Sequence, residues 1–176
     1  MNEVTNTRDE LRFRRMRDHE IEAVRELCLD AYLGDYSWID ETYAADIADV
    51  ESRAENHQVW VCEERETGQL LGTVTTGNPG ESITGLAAEG EFDLRLLAVR
   101  QSARKRGIGE YLMTSTVALA RSRGANAVLL NTGPEMRGAI ALYERLGFTR
   151  LSERDEEVFR SDGSSFTLLT YRLPLD

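Results

Sequence analysis

The stretch Phe92 to Asn131 constrains this chain more than any other: FDLRLLAVRQSARKRGIGEYLMTSTVALARSRGANAVLLN. An apolar run from Leu94 to Val99 is interrupted only by Arg95. A basic segment then leads through Arg104-Lys105-Arg106-Gly107-Ile108-Gly109 into a long helical pattern. That order predicts a strand, a glycine-rich turn and a helix start. At such a turn the first backbone N–H groups lack helical partners and the helix dipole adds partial positive charge, so a phosphate can sit there. Gly107 and Gly109 lack a Cβ and let backbone approach a ligand, while Arg104 and Arg106 add charge-assisted contacts. The turn is read as an anion site for part of a cofactor. The bland alternative is a solvated charged turn, the reading given to Arg100.

Spacing narrows the choice of cofactor. No GxxxxGK[ST] string exists, and the third glycine position of GxGxxG is Leu112. A nucleic-acid patch needs more cations and interleaved aromatics, and the formal net charge of -10 opposes it. The pattern that remains is [Q/R]-x-x-G-x-[G/A], met by Arg104, Gly107 and Gly109. Leu97-Ala98-Val99 stands before it. Ala139-x-x-Leu142-Tyr143-Glu144-Arg145-Leu146-Gly147-Phe148 follows further on. On these motifs the chain resembles the GNAT superfamily of N-acetyltransferases, from roughly Leu11 to Leu175 and most strongly from Asp93 to Phe148.

The remaining sequence suits a single domain over residues 1–176, with 1–10 as a flexible N-terminus. A hydrophobic fraction of 41% with 30% charged residues fits a globular chain with a substantial core. No apolar run is long enough to span a membrane, and the polar N-terminal segment does not read as a secretory signal. Cys28 and Cys62 read as buried free thiols, and a cytoplasmic location is expected.

Periodicity places the elements. Leu11 to Met16 alternates as a strand, and Ile21, Val24, Leu27, Cys28 and Ala31 recur at helical spacing with Asp18 as the expected N-cap. Tyr43 to Glu55 reads as a second helix. Gln58 to Glu64 and Leu70 to Thr76 form a hairpin around Glu66-Thr67-Gly68, and Gly77 to Gly90 is a loop. Ala127 to Asn131 is a buried strand, Pro134 suits a helix start, and Gly147 suits its stop. Phe148 to Ser152 and Phe166 to Leu173 close the chain as an antiparallel pair. The expected order is βααβββαβαββ, an α/β fold with a mixed central β-sheet flanked by helices on both faces, which is also what the resemblance implies.

The resemblance implies that the strand Leu94 to Val99 splays from the strand Ala127 to Asn131 and that acetyl-CoA enters the gap. The backbone of Leu97, Ala98 and Val99 would pair with the pantetheine arm. The turn Arg104, Lys105, Arg106, Gly107, Ile108 and Gly109 would hold the pyrophosphate. Tyr143 would protonate the departing thiolate, since a phenol stays protonated at neutral pH; its other reading simply extends the apolar face of Ala139, Leu142 and Leu146. Asp93 falls where some relatives carry a basic glutamate, and is otherwise an ordinary strand residue. Seven residues before Tyr143 the family often has Asn, and here it is Met136, so Asn131 is the substitute polar contact to the cofactor.

For the acceptor, the segment Asp18 to Glu55 holds twelve acids against Arg25 and Arg53. One reading makes Asp35, Tyr36, Trp38 and Asp40 acceptor-binding residues for a cationic small-molecule amine; the other is a pair of amphipathic helices with solvated acidic faces and aromatics in the core. His19 and His57 read as structural or surface residues, and no metal cluster is expected. The function expected is acetyl transfer from acetyl-CoA to a primary amine. A non-catalytic acyl-CoA-binding regulator and a protein N-terminal or lysine acetyltransferase stay open. No membrane partner is expected, and a homodimer is compatible with the fold.

Overall fold

The computed structural model describes residues 8–176. Residues 1–7 of the expected flexible N-terminus lie outside the described residues. The strands are β1 (Leu11–Arg15), β2 (Gln58–Glu64), β3 (Leu70–Thr76), β4 (Glu91–Val99), β5 (Ala127–Thr132), β6 (Thr149–Arg150), β7 (Glu156–Phe159) and β8 (Ser165–Pro174). The helices are α1 (Ile21–Asp35), α2 (Glu41–Ala48), α3 (Val50–Asn56), α4 (Ile108–Ser122) and α5 (Arg137–Arg145). The strands line up as β1-β2-β3-β4-β5-β8-β6, with β7 added to β8. Among the described strands only β4 and β5 run parallel. This is the mixed sheet expected.

The order differs from expectation in two places. The helix expected over Tyr43 to Glu55 is two, because Asp49 leaves helical geometry and caps α3 by accepting from the Ser52 N–H at 3.1 Å. The extra strand β7 folds back on β8 through the turn at Gly163. Asp18 is not the N-cap of α1. A short 3-10 turn, Asp18–Glu20, precedes the helix, and the Glu20 carboxylate takes the Arg17 N–H at 2.8 Å. Glu20 also accepts two N–H groups from Arg14 of β1 at 2.6 and 2.9 Å, and Arg14 reaches Glu63 of β2 at 2.7 Å. This network fastens the start of α1 to the sheet edge.

Two apolar cores lie on opposite faces. Leu11, Cys62, Val74, Leu112, Met113, Val128 and Tyr143 belong to one, with α4 and α5. Val24, Leu27, Ile47, Val59, Val61 and Ala98 belong to the other, with α1, α2 and α3. Cys28 and Cys62 are both buried free thiols, as expected, and burial pushes the Cys28 pKa up to about 11. Among the described residues no helix is long and apolar enough to cross a membrane.

The strand β4 changes face halfway along. Phe92 and Leu94 pack into the α4–α5 core, whereas Leu96 and Ala98 pack into the α1–α3 core. Side chains two apart on a regular strand share a face, so one residue must be extra. The register locates it: Gly72 faces Val99 and Thr73 faces Ala98, but Thr75 faces Arg95. Leu96 and Leu97 therefore stand opposite Val74 alone, and Leu96 takes a φ of 54°, left-handed and strained for leucine. A β-bulge at this point bends the strand where it leaves its parallel neighbour.

Candidate functional site

The two central strands separate at the bulge. β4 pairs with β5 only through Glu91, Phe92 and Asp93, opposite Ala127, Val128 and Leu129. From Leu94 onward β4 has no partner on that side among the described residues, so its backbone forms an open edge lined by Leu97, Ala98 and Val99. An open edge can receive an extended ligand as if it were a further strand. The Leu97 carbonyl accepts the Tyr32 hydroxyl at 3.1 Å, which ties α1 to this edge.

The chain then enters the basic turn. Lys105 has φ 63° and Gly107 has φ 75°, two left-handed residues that curl the backbone into the start of α4. Lys105 to Glu110 form six consecutive residues whose N–H groups have no backbone acceptor among the described residues; Tyr111 is the first to donate, to the Gly107 carbonyl at 3.0 Å. Such a run of free N–H groups at a helix start is an anion cradle. The two glycines do different work. Gly107 supplies the positive φ with open space around it. A Cβ on Gly109 would lie 3.1 Å from the Leu142 Cδ2 of α5, so a larger residue there would press on the neighbouring helix.

Two of the turn's three cations, Arg104 and Arg106, are already engaged. Arg104 donates to the Val99 carbonyl at 3.0 Å and to Asp35 at 2.8 Å, and Arg106 donates to Glu64 at 2.7 Å. Arg100 is no idle surface residue, since it donates to the Leu70 carbonyl at 3.1 Å.

Beyond the splay lies a cavity of about 730 Å³. Its walls are Trp38, Tyr43 and Asp46 from the α1–α2 region, Ile83, Thr84 and Leu86 from the loop before β4, Leu94 and Leu96 of β4, and Phe166 and Leu168 of β8. Asn131, Gly133 and Met136 close the end nearest the splay. Trp38 stacks on Tyr43, with ring centroids 6.2 Å apart, and the Arg160 guanidinium lies 5.5 Å from the Trp38 ring and 4.7 Å from the Phe166 ring.

Several expected site residues fall elsewhere. Asp93 is not placed as a base. It is 2% exposed, and its carboxylate accepts from the Ser82 hydroxyl at 2.6 Å, the Ile83 N–H at 2.9 Å, and the Thr84 N–H and hydroxyl at 3.1 and 2.5 Å. Its acceptor capacity is spent holding the loop that walls the cavity. Nothing in the local sequence marks this, because the donors lie nine to eleven residues back. Asp35 sits with the turn rather than the cavity, through Arg104. Asp40 does line the cavity, but its carboxylate also caps α2 by accepting from the Tyr43 N–H at 2.8 Å. Trp38 lines the cavity, and Tyr36 stands behind it at 5.7 Å.

The acidic segment is largely occupied too. Glu22 and Glu51 pair with Arg25, Asp46 pairs with Arg95, and Asp30 accepts from Gln101. The charged groups lining the cavity are Asp40, Asp46 and Glu156 against Arg95 and Arg160, close to balance. A concentrated negative field is absent from this lining.

Tyr143 lies on the inner face of α5, 6% exposed and 6.0 Å from the Phe148 ring. Burial, and secondarily the nearby Tyr36 phenol, push its pKa upward, so the hydroxyl keeps its proton. Met136 packs against the α1–α3 core and lines the cavity. Asn131 donates its Nδ2 to the Thr170 hydroxyl at 2.9 Å and leaves its Oδ1 buried without a donor. Among the described residues no cluster of three metal-ligating side chains occurs.

The site residues present fit acetyl-CoA: an open strand edge runs into a cradle of free N–H groups, with an aromatic-walled cavity at the opposite end. Comparison with known proteins agrees. A probable N-acetyltransferase, camello, from Xenopus tropicalis is 33% identical over 130 residues, 72% of this chain and 56% of that protein. A mycothiol acetyltransferase from Cellulomonas flavigena is 38% identical over 85 residues, 47% of this chain and 24% of that protein. The chain thus spans little more than half the length of the frog relative and less of the bacterial one. Among solved structures, a GNAT-family acetyltransferase from Staphylococcus aureus superposes with a TM-score of 0.70 at 16% identity, covering 94% of this chain and 99% of that one. A putative acetyltransferase from Salmonella typhimurium, solved with acetyl-CoA, superposes with a TM-score of 0.64 at 22% identity over 94% of each chain. At such identities these two establish the shared fold. The acetyltransferase (GNAT) family profile matches residues 21–148, well over half of the sequence, and the chain belongs to that family.

Proposed function

We propose that this protein is an acetyl-CoA-dependent N-acetyltransferase acting on a small primary amine. The observation that carries the reading is the continuity of three features: the open β4 edge, the free N–H run from Lys105 to Glu110, and the cavity that meets them at the Leu96 bulge.

In this reading the backbone of Leu97, Ala98 and Val99 aligns the pantetheine arm. The N–H groups of Arg106, Gly107, Ile108 and Gly109 hold the pyrophosphate, with Arg104 and Lys105 beside them. When bound, acetyl-CoA supplies an acetyl thioester whose carbonyl carbon joins the amine nitrogen while the sulfur leaves as a thiol, carrying the proton the nitrogen gives up. Tyr143 keeps its phenolic proton at neutral pH and is suited to relay the transfer, giving its own proton to the leaving sulfur and recovering the one the nitrogen gives up. Asp93 takes no part in proton transfer, and the amine loses its proton to solvent before it enters.

The cavity volume falls within the ordinary range of small-molecule sites, about 300–1,000 Å³. Its aromatic walls favour an acceptor with an apolar body, and its near-balanced charges give no support to a polycationic one.

The test is a screen of amines of several classes with acetyl-CoA, following thiol release. Turnover of a primary amine with an apolar body is expected, and Gly107→Val should lose acetyl-CoA binding by calorimetry. Binding of acetyl-CoA without turnover of any amine would make the protein a non-catalytic binding module. Undiminished acetyl-CoA affinity in Gly107→Val would remove the turn from the cofactor site.

A further inference from the structure

Asn131 carries a polar atom that the described protein leaves unused. It stands on β5 two residues beyond Leu129, the last β5 residue paired with β4. It is therefore at the mouth of the splay, and it lines the cavity beside Leu94, Leu96 and Met136. Across the β5–β8 ladder its direct partner is Thr170, whose hydroxyl accepts the Asn131 Nδ2 at 2.9 Å.

The hydrogen-bond network sets which way this amide points. Thr170 has one hydroxyl proton, which goes to the Arg154 carbonyl at 2.9 Å, while its N–H goes to Asp155 at 2.8 Å. The Thr170 hydroxyl can then only accept from Asn131, so Nδ2 faces β8 and Oδ1 faces away. Arg154 is itself held, donating to both Glu91 carboxylate oxygens at 3.0 Å and to the Leu86 carbonyl at 2.5 Å. The result is a chain from Glu91 through Arg154 and Thr170 to Asn131, rigid at one end and unpartnered at the other. Oδ1 is buried and has no donor. A buried acceptor left without a donor is costly, and an amide locked on its other side with this atom unpartnered is suited to take a ligand N–H.

We propose that Asn131 Oδ1 accepts a hydrogen bond from the amine of the acceptor and orients its nitrogen lone pair toward the gap between β4 and β5. The proposal rests on the acetyltransferase reading and names the group that holds the nucleophile. An amide oxygen is too weak a base to remove the proton, so Asn131 positions the amine and does not deprotonate it. Its hydrogen bond strengthens as the nitrogen gains positive charge on attack, so it favours the transition state over the bound amine. Asp93 cannot serve in its stead, because its oxygens are occupied by the loop from Ser82 to Thr84.

The test uses the full chain with acetyl-CoA and phenethylamine, a primary amine whose aromatic body matches the cavity walls, together with any other amine the screen finds. Asn131→Ala should lower kcat/KM for the amine by about 10- to 100-fold, within the range expected of one lost transition-state hydrogen bond. Calorimetry should show weaker phenethylamine binding to the protein–CoA complex and acetyl-CoA affinity changed less than twofold. Asn131→Asp keeps an acceptor oxygen and should recover part of the rate. Thr170→Val releases the amide to turn and should give an intermediate loss. Unchanged amine kinetics in Asn131→Ala would overturn the proposal. So would a fall in acetyl-CoA affinity with amine binding intact, which would assign Oδ1 to a pantetheine N–H. Wild-type inactivity on every amine overturns the acetyltransferase reading as well, whereas activity that Asn131→Ala leaves intact overturns this proposal alone.

Discussion

Arg104 gives its Nη1–H to Asp35 at 2.8 Å, which ties the basic turn before α4 to the last residue of α1. The chain runs on from Asp35 through Tyr36 and Trp38 into the cavity wall. A pyrophosphate that takes Arg104 must draw it from Asp35, so the two anions compete for one guanidinium. Both side chains are more than a third exposed, so the pair is worth only about 0.2–1 kcal/mol. Asp35→Asn should therefore tighten CoA binding by no more than about fivefold, and Arg104→Ala should weaken it by about 1.5–3 kcal/mol less that small compensation. Calorimetric titration of both variants with CoA checks this, and weaker binding in Asp35→Asn would contradict it.

Tyr143→Phe keeps the ring against Phe148 and removes a hydroxyl that bonds to no other described residue. Its melting temperature should stay close to that of the parent protein. Turnover should fall by about 10- to 1000-fold, a range that overlaps general-acid catalysis, with CoA affinity little changed. A variant with full turnover would leave Tyr143 as core alone.

Asp93→Asn replaces an acceptor of four hydrogen bonds with a group that can accept fewer. The loop from Ser82 to Thr84 should loosen, with a stability loss of at least about 2 kcal/mol, because bonds to a charged group are lost and buried donors are stranded. KM for the acceptor should rise, since Ile83 and Thr84 wall the cavity. The lower limb of the pH–rate profile should stay where it is. Its displacement in Asp93→Asn would restore this residue as a base.

Hydrogen bonds from Arg14 lower the Glu20 pKa from 4.5 to about 2. A depressed carboxylate pKa contributes stability that is present above the unfolded value and disappears as pH falls through the folded one. The contribution should be full above about pH 5 and gone near pH 2, with a size of about 1–3 kcal/mol after allowance for solvent screening. Glu20→Gln should destabilise the fold by that amount at pH 7 and by much less at pH 3. Denaturant titrations at the two pH values measure the difference, and equal losses at both would contradict it.

Periodicity and turn chemistry made most of the elements legible, because both are local. The alternation of Leu11 to Met16, the helical stripe of α1 and the hairpin at Gly68 each depend on neighbours within a few positions. The basic turn was legible for the same reason: Gly107 adopts a positive φ that few residues tolerate, and the N–H groups after it lack acceptors by the geometry of any helix start. The break at Asp49 and the strand β7 were missed. A single capping aspartate looks like any acidic helix residue, and Glu156 to Phe159 becomes a strand only because β8 lies beside it.

The sequence by itself determined the kind of fold, the place of the basic glycine turn and the burial of both thiols, since these follow from apolar spacing and from glycine between cations. Only the tertiary structure decided what each polar side chain does. Asp93, Asp35 and Asn131 are alike in sequence as short polar residues. The first is consumed by a loop and the second by an arginine 69 positions away. The third is locked by a threonine 39 positions away with one buried oxygen left without a donor. The bulge at Leu96 belongs with these, because an extra residue in a strand is defined by the register of its neighbour. A carboxylate or an amide takes its role from the donors that long-range folding brings to it, and those donors are nowhere near it in the chain.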